Sequence, residues 1–368
     1  MSGASTNDRP LRAAVVGARI GRTHAAGYAA SERAELVAIC DAIESRCHAL
    51  ADAHDVEARY TDFETMLREQ RPEVLSIATP QATHAPLTIL AASRYKPTAI
   101  LCEKAMAGNL GEARAMLETC DRNGVKLAIG HQGRWLRAFE QARDAVAAGD
   151  IGAPVFARVG CTVGGITNHL THALDRMLFM LGEPDIEWVL GNVQRETDRW
   201  ERGWPSEEMA AAVVGLAGGM RLALESETPD APGLEAHTHL IVGTDGLVIV
   251  SQDGRGADYA VRIVGRGGRT RDIPGDADYY DDARLRETDA LAAWAAGEVD
   301  EHRGDAHLAI KTQEALMAIY ESARIRGLVR LPLKTMASPL IRMIESGDLP
   351  VRYPGRYDIR HHTAAYRS

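Results

Sequence analysis

The sixteen residues Ala13–Tyr28, AAVVGARIGRTHAAGY, decide how the rest of the chain is read. An apolar run that begins at Leu11 stops at Gly17, a second glycine follows at Gly21, and small residues suited to a helix come next. A strand that ends at glycine and restarts as a helix leaves unpaired N–H groups and a partial positive charge at the strand end. An anion settles there if no side chain intervenes. The stretch falls one step short of G-x-G-x-x-G: either a residue is missing or the middle glycine has become Arg19. Gly17, Ala18, Arg19, Ile20 and Gly21 are therefore the expected cradle of a nucleotide pyrophosphate. The plain alternative is a strand–helix turn with no ligand.

Working outward, the run AELVAICD ends at Asp41, about 20 residues on, where an acid binds ribose hydroxyls. A carboxylate there favours NAD and repels a 2′-phosphate, whereas Arg19 attracts one. NAD is the expected cofactor and NADP stays open. Further strands, EVLSIAT, TAILCEK and VKLAIGH, alternate with helical patterns, which predicts a parallel α/β Rossmann sheet over residues 1–131. Ligands collect at the carboxyl ends of such strands. ATPQATH puts Thr79 and Pro80 in one such loop and His84 at the next helix, and CEKA puts Glu103 and Lys104 at another strand end. Only five of the 42 basic residues are lysine, so an amine at Lys104 is a specific choice. Beside a cationic nicotinamide its pKa would fall and suit it to proton transfer; the bland reading is a surface lysine near a helix start.

Beyond Gln132 the pattern changes. A helix RAFEQARDAVAAG and a strand near PVFARVGCTV precede a helix over about 168–181, and then come apolar strand candidates separated by glycine-rich turns. This predicts a C-terminal α+β domain over 132–333 with a large, open, mainly antiparallel sheet, closed by helices near 281–296 and 305–326. The tail, 334–368, is expected to pack on its own or a partner subunit. In GGITNHLTHALDRM, Asn168, His172 and Asp175 fall at i, i+4 and i+7 and share a helix face that His169 can join. Polar residues on one side of an apolar helix suggest a lined cavity, in which a histidine takes the proton of an alcohol while hydride leaves. A core histidine satisfied by its neighbours is the bland alternative. A metal held by His169, His172 and a carboxylate is the other, and no metal is expected.

A chain of 368 residues with 45% hydrophobic and 25% charged residues is expected to form two domains. Its net charge of −9 argues against nucleic acid or an anionic membrane as partner. No signal segment or 20-residue apolar run is visible, and five cysteines without a CxxC pair read as reduced thiols, so a cytoplasmic protein is expected.

Taken together and in order, the glycine turn with His24, Asp41, ATPQATH, CEKA, GHQGRW, NHLTHALD and YESARIRGLVRLPL resemble the glucose–fructose oxidoreductase/inositol dehydrogenase (Gfo/Idh/MocA) family. The resemblance implies an NAD(P)-dependent oxidoreductase acting on a sugar, cyclitol or related polyol, assembled as a homodimer or homotetramer through the C-terminal sheet. It implies that Lys104 and His172 are catalytic. It places Gln132 and Arg134 at the nicotinamide and substrate edge, and His24, Thr79, Pro80, His84 and Glu103 in the cofactor pocket. Asn168, His169, Arg134 and Asp175 are the expected substrate contacts, with His172 as base and Lys104 bonded to the same oxygen. The chain departs from the family in its short glycine turn, in Ala105 where proline follows the lysine, and in Asn168 where an aspartate is usual. Two alternatives stay open: glycoside cleavage by transient oxidation with tightly bound NAD, and a non-catalytic nucleotide-binding regulator.

Overall fold

A computed structural model describes residues 9–161, 165–226, 237–275 and 279–353. The first sheet has six parallel strands: β1 (Leu11–Val16), β2 (Ala34–Cys40), β3 (Ala58–Tyr60), β4 (Val74–Ile77), β5 (Ala99–Glu103) and β6 (Lys126–Gly130). They lie in the order β3-β2-β1-β4-β5-β6. The order reverses direction between β1 and β4, and at that switch point the two loops diverge to leave a crevice. The β1 residues Ala13–Val16 are buried, as a central parallel strand covered on both faces requires.

Two apolar layers flank the sheet. On one side lie α3 (Phe63–Gln70), α4 (His84–Leu90) and α5 (Leu110–Asn123), with Met66, Leu67, Met116 and Cys120 in the core. On the other lie α1 (Gly21–Ala30) and α2 (Glu44–Asp52), joined by a helix from far along the chain, α8 (Tyr279–Ala296), which contributes Leu291, Ala292 and Trp294. Local sequence sets the helix ends. Asp62 and Asn109 cap α3 and α5 by accepting from Thr65 N at 2.7 Å and Glu112 N at 2.8 Å, and Gly124 at φ 69° stops α5.

The second sheet has nine strands: β7 (Pro154–Gly160), β8 (Ile186–Gln194), β11 (Met209–Leu216), β12 (Arg221–Glu225), β13 (His239–Gly243), β14 (Leu247–Val250), β15 (Val261–Val264), β16 (Thr270–Ile273) and β17 (Val329–Arg330). A small hairpin of β9 (Trp200–Glu201) and β10 (Trp204–Pro205) stands apart from it. All pairs in the large sheet are antiparallel except β7 with β12. One face packs on α6 (Arg137–Ala147), α7 (Thr171–Met180), α9 (Ala306–Ile325) and α10 (Pro339–Ser346). The opposite face is open and carries Leu190 and Val213, 48% and 36% exposed. The expected fold class holds: a parallel Rossmann sheet plus a mainly antiparallel second sheet. Residues 334–353 of the tail include α10, which buries Leu340 and Met343 in the protein's own core; residues 354–368 lie outside the described residues.

Gly17 sits at φ +91°, and a Cβ there would lie 2.4 Å from the Ala78 carbonyl oxygen. A side chain at this point strains the β1 turn against β4 before it meets any ligand. Gly17→Ala is therefore expected to cost about 2 kcal/mol or more of folding stability. Urea unfolding of the variant measures this, and an unchanged midpoint would refute the packing role.

Candidate functional site

The β1–α1 turn fits a dinucleotide. Gly17 N donates to Cys40 O at 2.8 Å, and α1 opens at Gly21 with no side-chain cap. The first-turn N–H groups of α1 are thus left for an anion. A Cβ on Gly21 would lie 2.7 Å from Val15 Cγ1, so glycine here permits close helix–strand packing. Ala18 is half-buried, and Arg19 and Ile20 are exposed at the crevice rim. Asp41 stands at the end of β2 and ties down the shortened turn: its Oδ2 accepts from Ala18 N at 2.7 Å and its Oδ1 from Ile43 N at 2.8 Å. Each carboxylate oxygen retains a second lone pair for a ribose hydroxyl.

His24 is buried beneath the strand ends, whereas Glu103, also buried, reaches the lining of the pocket beside Lys104. His24 Nδ1 meets Ser76 Oγ at 2.9 Å and its Nε2 meets Glu103 Oε1 at 3.1 Å. Glu103 Oε1 also accepts from Arg284 Nη2 at 2.6 Å, and its Oε2 accepts from Lys104 N at 3.2 Å. Burial alone would raise the Glu103 pKa, but the Arg284 guanidinium and His24 hold it far below the usual carboxylate range. Burial and the same guanidinium lower His24 to about 4. Arg284 lies on α8, so this cluster locks the late helix onto the Rossmann sheet.

His84 has a similar supporting role. Its Nδ1 faces Ala105 O at 2.8 Å and its Nε2 faces Thr79 O at 2.9 Å, which staples the β4 loop to the loop after β5. The turn in which Ala105 replaces the family's proline is held by that contact, and the Lys104–Ala105 peptide is cis. Thr79 is half-buried and Pro80 exposed at the crevice.

Lys104 is the centre of the site. Its Nζ donates to Asn168 O at 2.9 Å and to Asn168 Oδ1 at 3.0 Å, linking the strand end of the first sheet to the turn before α7. Burial, and then the neighbouring Arg202 guanidinium, pull its pKa from 10.5 to about 7, against the opposing pull of Glu103 and Glu201. The pocket in front of it is lined by Ile20, Thr79, Gln81, Thr167, Glu201 and Arg202, together with Asn168.

The helix that carries Asn168 departs from the expected regular helix. Ile166–Leu170 forms a π-helical turn, and α7 begins only at Thr171. The wider turn changes the angular step, so Asn168 and Asp175 do not present one continuous face. Asn168 meets Lys104, and its Nδ2 lies 3.0 Å from His169 Nε2. His172 packs edge-on against His131 at 5.9 Å, and its buried Nδ1 has no hydrogen-bond partner among the described residues. Burial, Lys104 and Arg176 push the His172 pKa well below 6.5, and burial brings His169 down to about 4.

Arg134 and Asp175, expected as substrate contacts, are instead enclosed in an ion pair, 1% and 0% exposed. Arg134 Nε and Nη2 donate to the two Asp175 oxygens, each at 2.8 Å, and Nη1 donates to Glu183 at 2.5 Å. A guanidinium so saturated has no fork to offer a substrate. Gln132 is half-buried beside them, with its Oε1 lacking a donor among the described residues. No group of three or more His, Cys, Asp or Glu suited to a metal occurs among the described residues. No helix among them is long and apolar enough to cross a membrane.

Glu201 and Arg202 were not legible as site residues. They sit on the β9–β10 hairpin, whose Trp204 packs so closely on the Rossmann loop that a Cβ at Gly108 would lie 2.4 Å from its Cη2. The one local signal is WERGW, a charged turn between two tryptophans.

Comparison with known proteins bears on the fold and on the nucleotide-binding domain. Residues 11–131 match the model of the oxidoreductase family with NAD-binding Rossmann fold. A D-apiose dehydrogenase of Paraburkholderia graminis is 33% identical over 160 residues, 43% of this chain and 42% of that one. A D-glucoside 3-dehydrogenase of Escherichia coli is 29% identical over 200 residues, 49% and 56% of the two chains. The chain thus spans about half the length of these relatives. A crystal structure of an oxidoreductase from Agrobacterium radiobacter with NAD+, L-tartaric acid and magnesium superposes with a TM-score of 0.75 at 22% identity. The superposition covers 87% of this chain and 98% of that one, a likeness of fold. Residues 11–131 thus match the NAD-binding Rossmann domain of the Gfo/Idh/MocA oxidoreductase family.

Proposed function

We propose that the protein is a dehydrogenase that uses NAD(H) to oxidise a secondary alcohol of a sugar, cyclitol or related polyol, or reduces the ketone in reverse. One observation carries this reading: an amine brought to near-neutral pKa is fixed by Asn168 beside a dinucleotide crevice. NAD, when bound, supplies the hydride acceptor. The residues to hold it are the backbone of Gly17–Gly21, Asp41 for the ribose, and Thr79 and Pro80 along the crevice.

The hydroxyl proton has to leave as hydride leaves, and a group titrating near the working pH carries it best. We assign that task to Lys104 in its neutral form. A base must hold the proton it takes, and an imidazolium at His172 would stand beside Lys104 and Arg176 in a buried position. Neutral His172 therefore orients the hydroxyl, and the Asn168 amide fixes the ammonium and cannot itself accept a proton. The open sheet face with Leu190 and Val213 is our choice for assembly into a homodimer or homotetramer.

The test is direct. Purified protein with NAD+ is mixed with myo-inositol, D-apiose, D-glucose and methyl glucosides, and absorbance of the reduced nicotinamide is followed. Turnover of at least one polyol is expected. Glycoside cleavage without net nicotinamide change would replace this reading by the cleavage alternative, and neither activity would sink both. Asp41 supplies a further check. Asp41→Asn removes the charge that opposes a 2′-phosphate and keeps an acceptor for the turn. It is expected to narrow the preference for NADH over NADPH by roughly tenfold in calorimetric titration. A wild type that already prefers NADPH would overturn the assignment of NAD.

A further inference from the structure

The pocket in front of Lys104 contains two carboxylates, Glu103 and Glu201. Glu103 is fully engaged by His24, Arg284 and the Lys104 N–H. Glu201 is not. Its Oε1 accepts from Arg199 Nε at 3.1 Å and from Arg199 Nη2, while its Oε2 is buried and has no donor among the described residues. The side chain is only 10% exposed. A buried carboxylate oxygen without a donor is costly, and no described residue supplies one here. The backbone makes room for this arrangement. Gly165, at φ +95°, begins the turn that carries Asn168, and a Cβ there would lie 2.4 Å from Glu201 Oε2.

We propose that Glu201, delivered by the β9–β10 hairpin, is the acidic substrate-binding residue of this pocket, and that its Oε2 accepts the hydrogen bond of a substrate hydroxyl neighbouring the one oxidised. The substrate class is then a polyol with at least two adjacent hydroxyls, one for Lys104 and one for Glu201. This rests on the dehydrogenase reading above. The charge of Glu201 also bears on its neighbours, since it favours the protonated forms of both Lys104 and His169.

Glu201→Gln keeps the size of the side chain and an acceptor for Arg199, but replaces an oxygen by a donor. Steady-state kinetics on the polyol that the wild type oxidises are expected to show kcat/KM lowered about tenfold or more, mostly through KM. NADH affinity by fluorescence titration should stay within twofold, and the acid limb of the pH–rate profile should move to lower pH. A kcat/KM within twofold of wild type, with an unmoved acid limb, overturns the proposal. If the wild type oxidises none of the panel, the dehydrogenase reading fails, and Glu201 is judged on Lys104 alone. Labelling of Lys104 by acetic anhydride, followed by peptide mass spectrometry across pH 5–9, should then show its midpoint falling by about half a unit or more in Glu201→Gln. An unchanged midpoint overturns the placement of Glu201 as the charge facing Lys104.

Discussion

Lys104→Met is expected to lower kcat by about 10²–10⁴, the range that a positioned acid–base group contributes, while NADH still binds. Methionine fills a similar volume but can neither take the hydroxyl proton nor hold one. The pH dependence gives the sign. Oxidation needs the neutral amine, so its rate should rise as pH passes through about 7 and level off above it. Reduction needs the ammonium, so its rate should fall over the same interval. Lys104→Arg keeps a positive charge that does not titrate in this range and should not restore oxidation. Near-normal turnover by Lys104→Met on a confirmed substrate would return the proton to His172. In that case His172→Ala should show the larger loss.

The second large effect concerns stability. Asp175→Ala is expected to cost about 3–5 kcal/mol of unfolding free energy, because it strands the Arg134 guanidinium at 1% exposure. Glu183, still bonded to Arg134 Nη1 at 2.5 Å, places the expected loss toward the lower end of that range. The loss belongs to an uncompensated charge and not to the pair as such. The double variant Arg134→Met with Asp175→Leu should therefore recover much of it. Urea unfolding of the single and double variants measures both. A loss below about 1 kcal/mol for Asp175→Ala would mean that the pair is open to solvent and available to a substrate after all.

The sequence by itself determined the Rossmann sheet, the second sheet and two residues that line one pocket, Lys104 and Asn168. Those signals are local. Gly17 and Gly21 are demanded by a turn and a close approach, Asp41 ends a short buried strand, and Lys104 stands at a strand end in a chain that uses few lysines. What tertiary structure decided is which polar side chains face the crevice and which are spent on holding it. Spacing placed Asn168 and Asp175 on one face, but the π-helical turn and the Arg134 guanidinium took Asp175 inside. His24 and Glu103 stand beside the glycine turn and Lys104 in sequence, yet Glu103 bonds Arg284, some 180 residues later, and holds His24 in the same buried cluster. Glu201 enters the pocket on a two-strand hairpin from beyond the Rossmann sheet, by a route that no periodicity records. The physical reason is common to all three. A periodic pattern reports burial on one face of one element, whereas the partner that satisfies a buried charge comes from wherever the fold brings an opposite charge within hydrogen-bond reach.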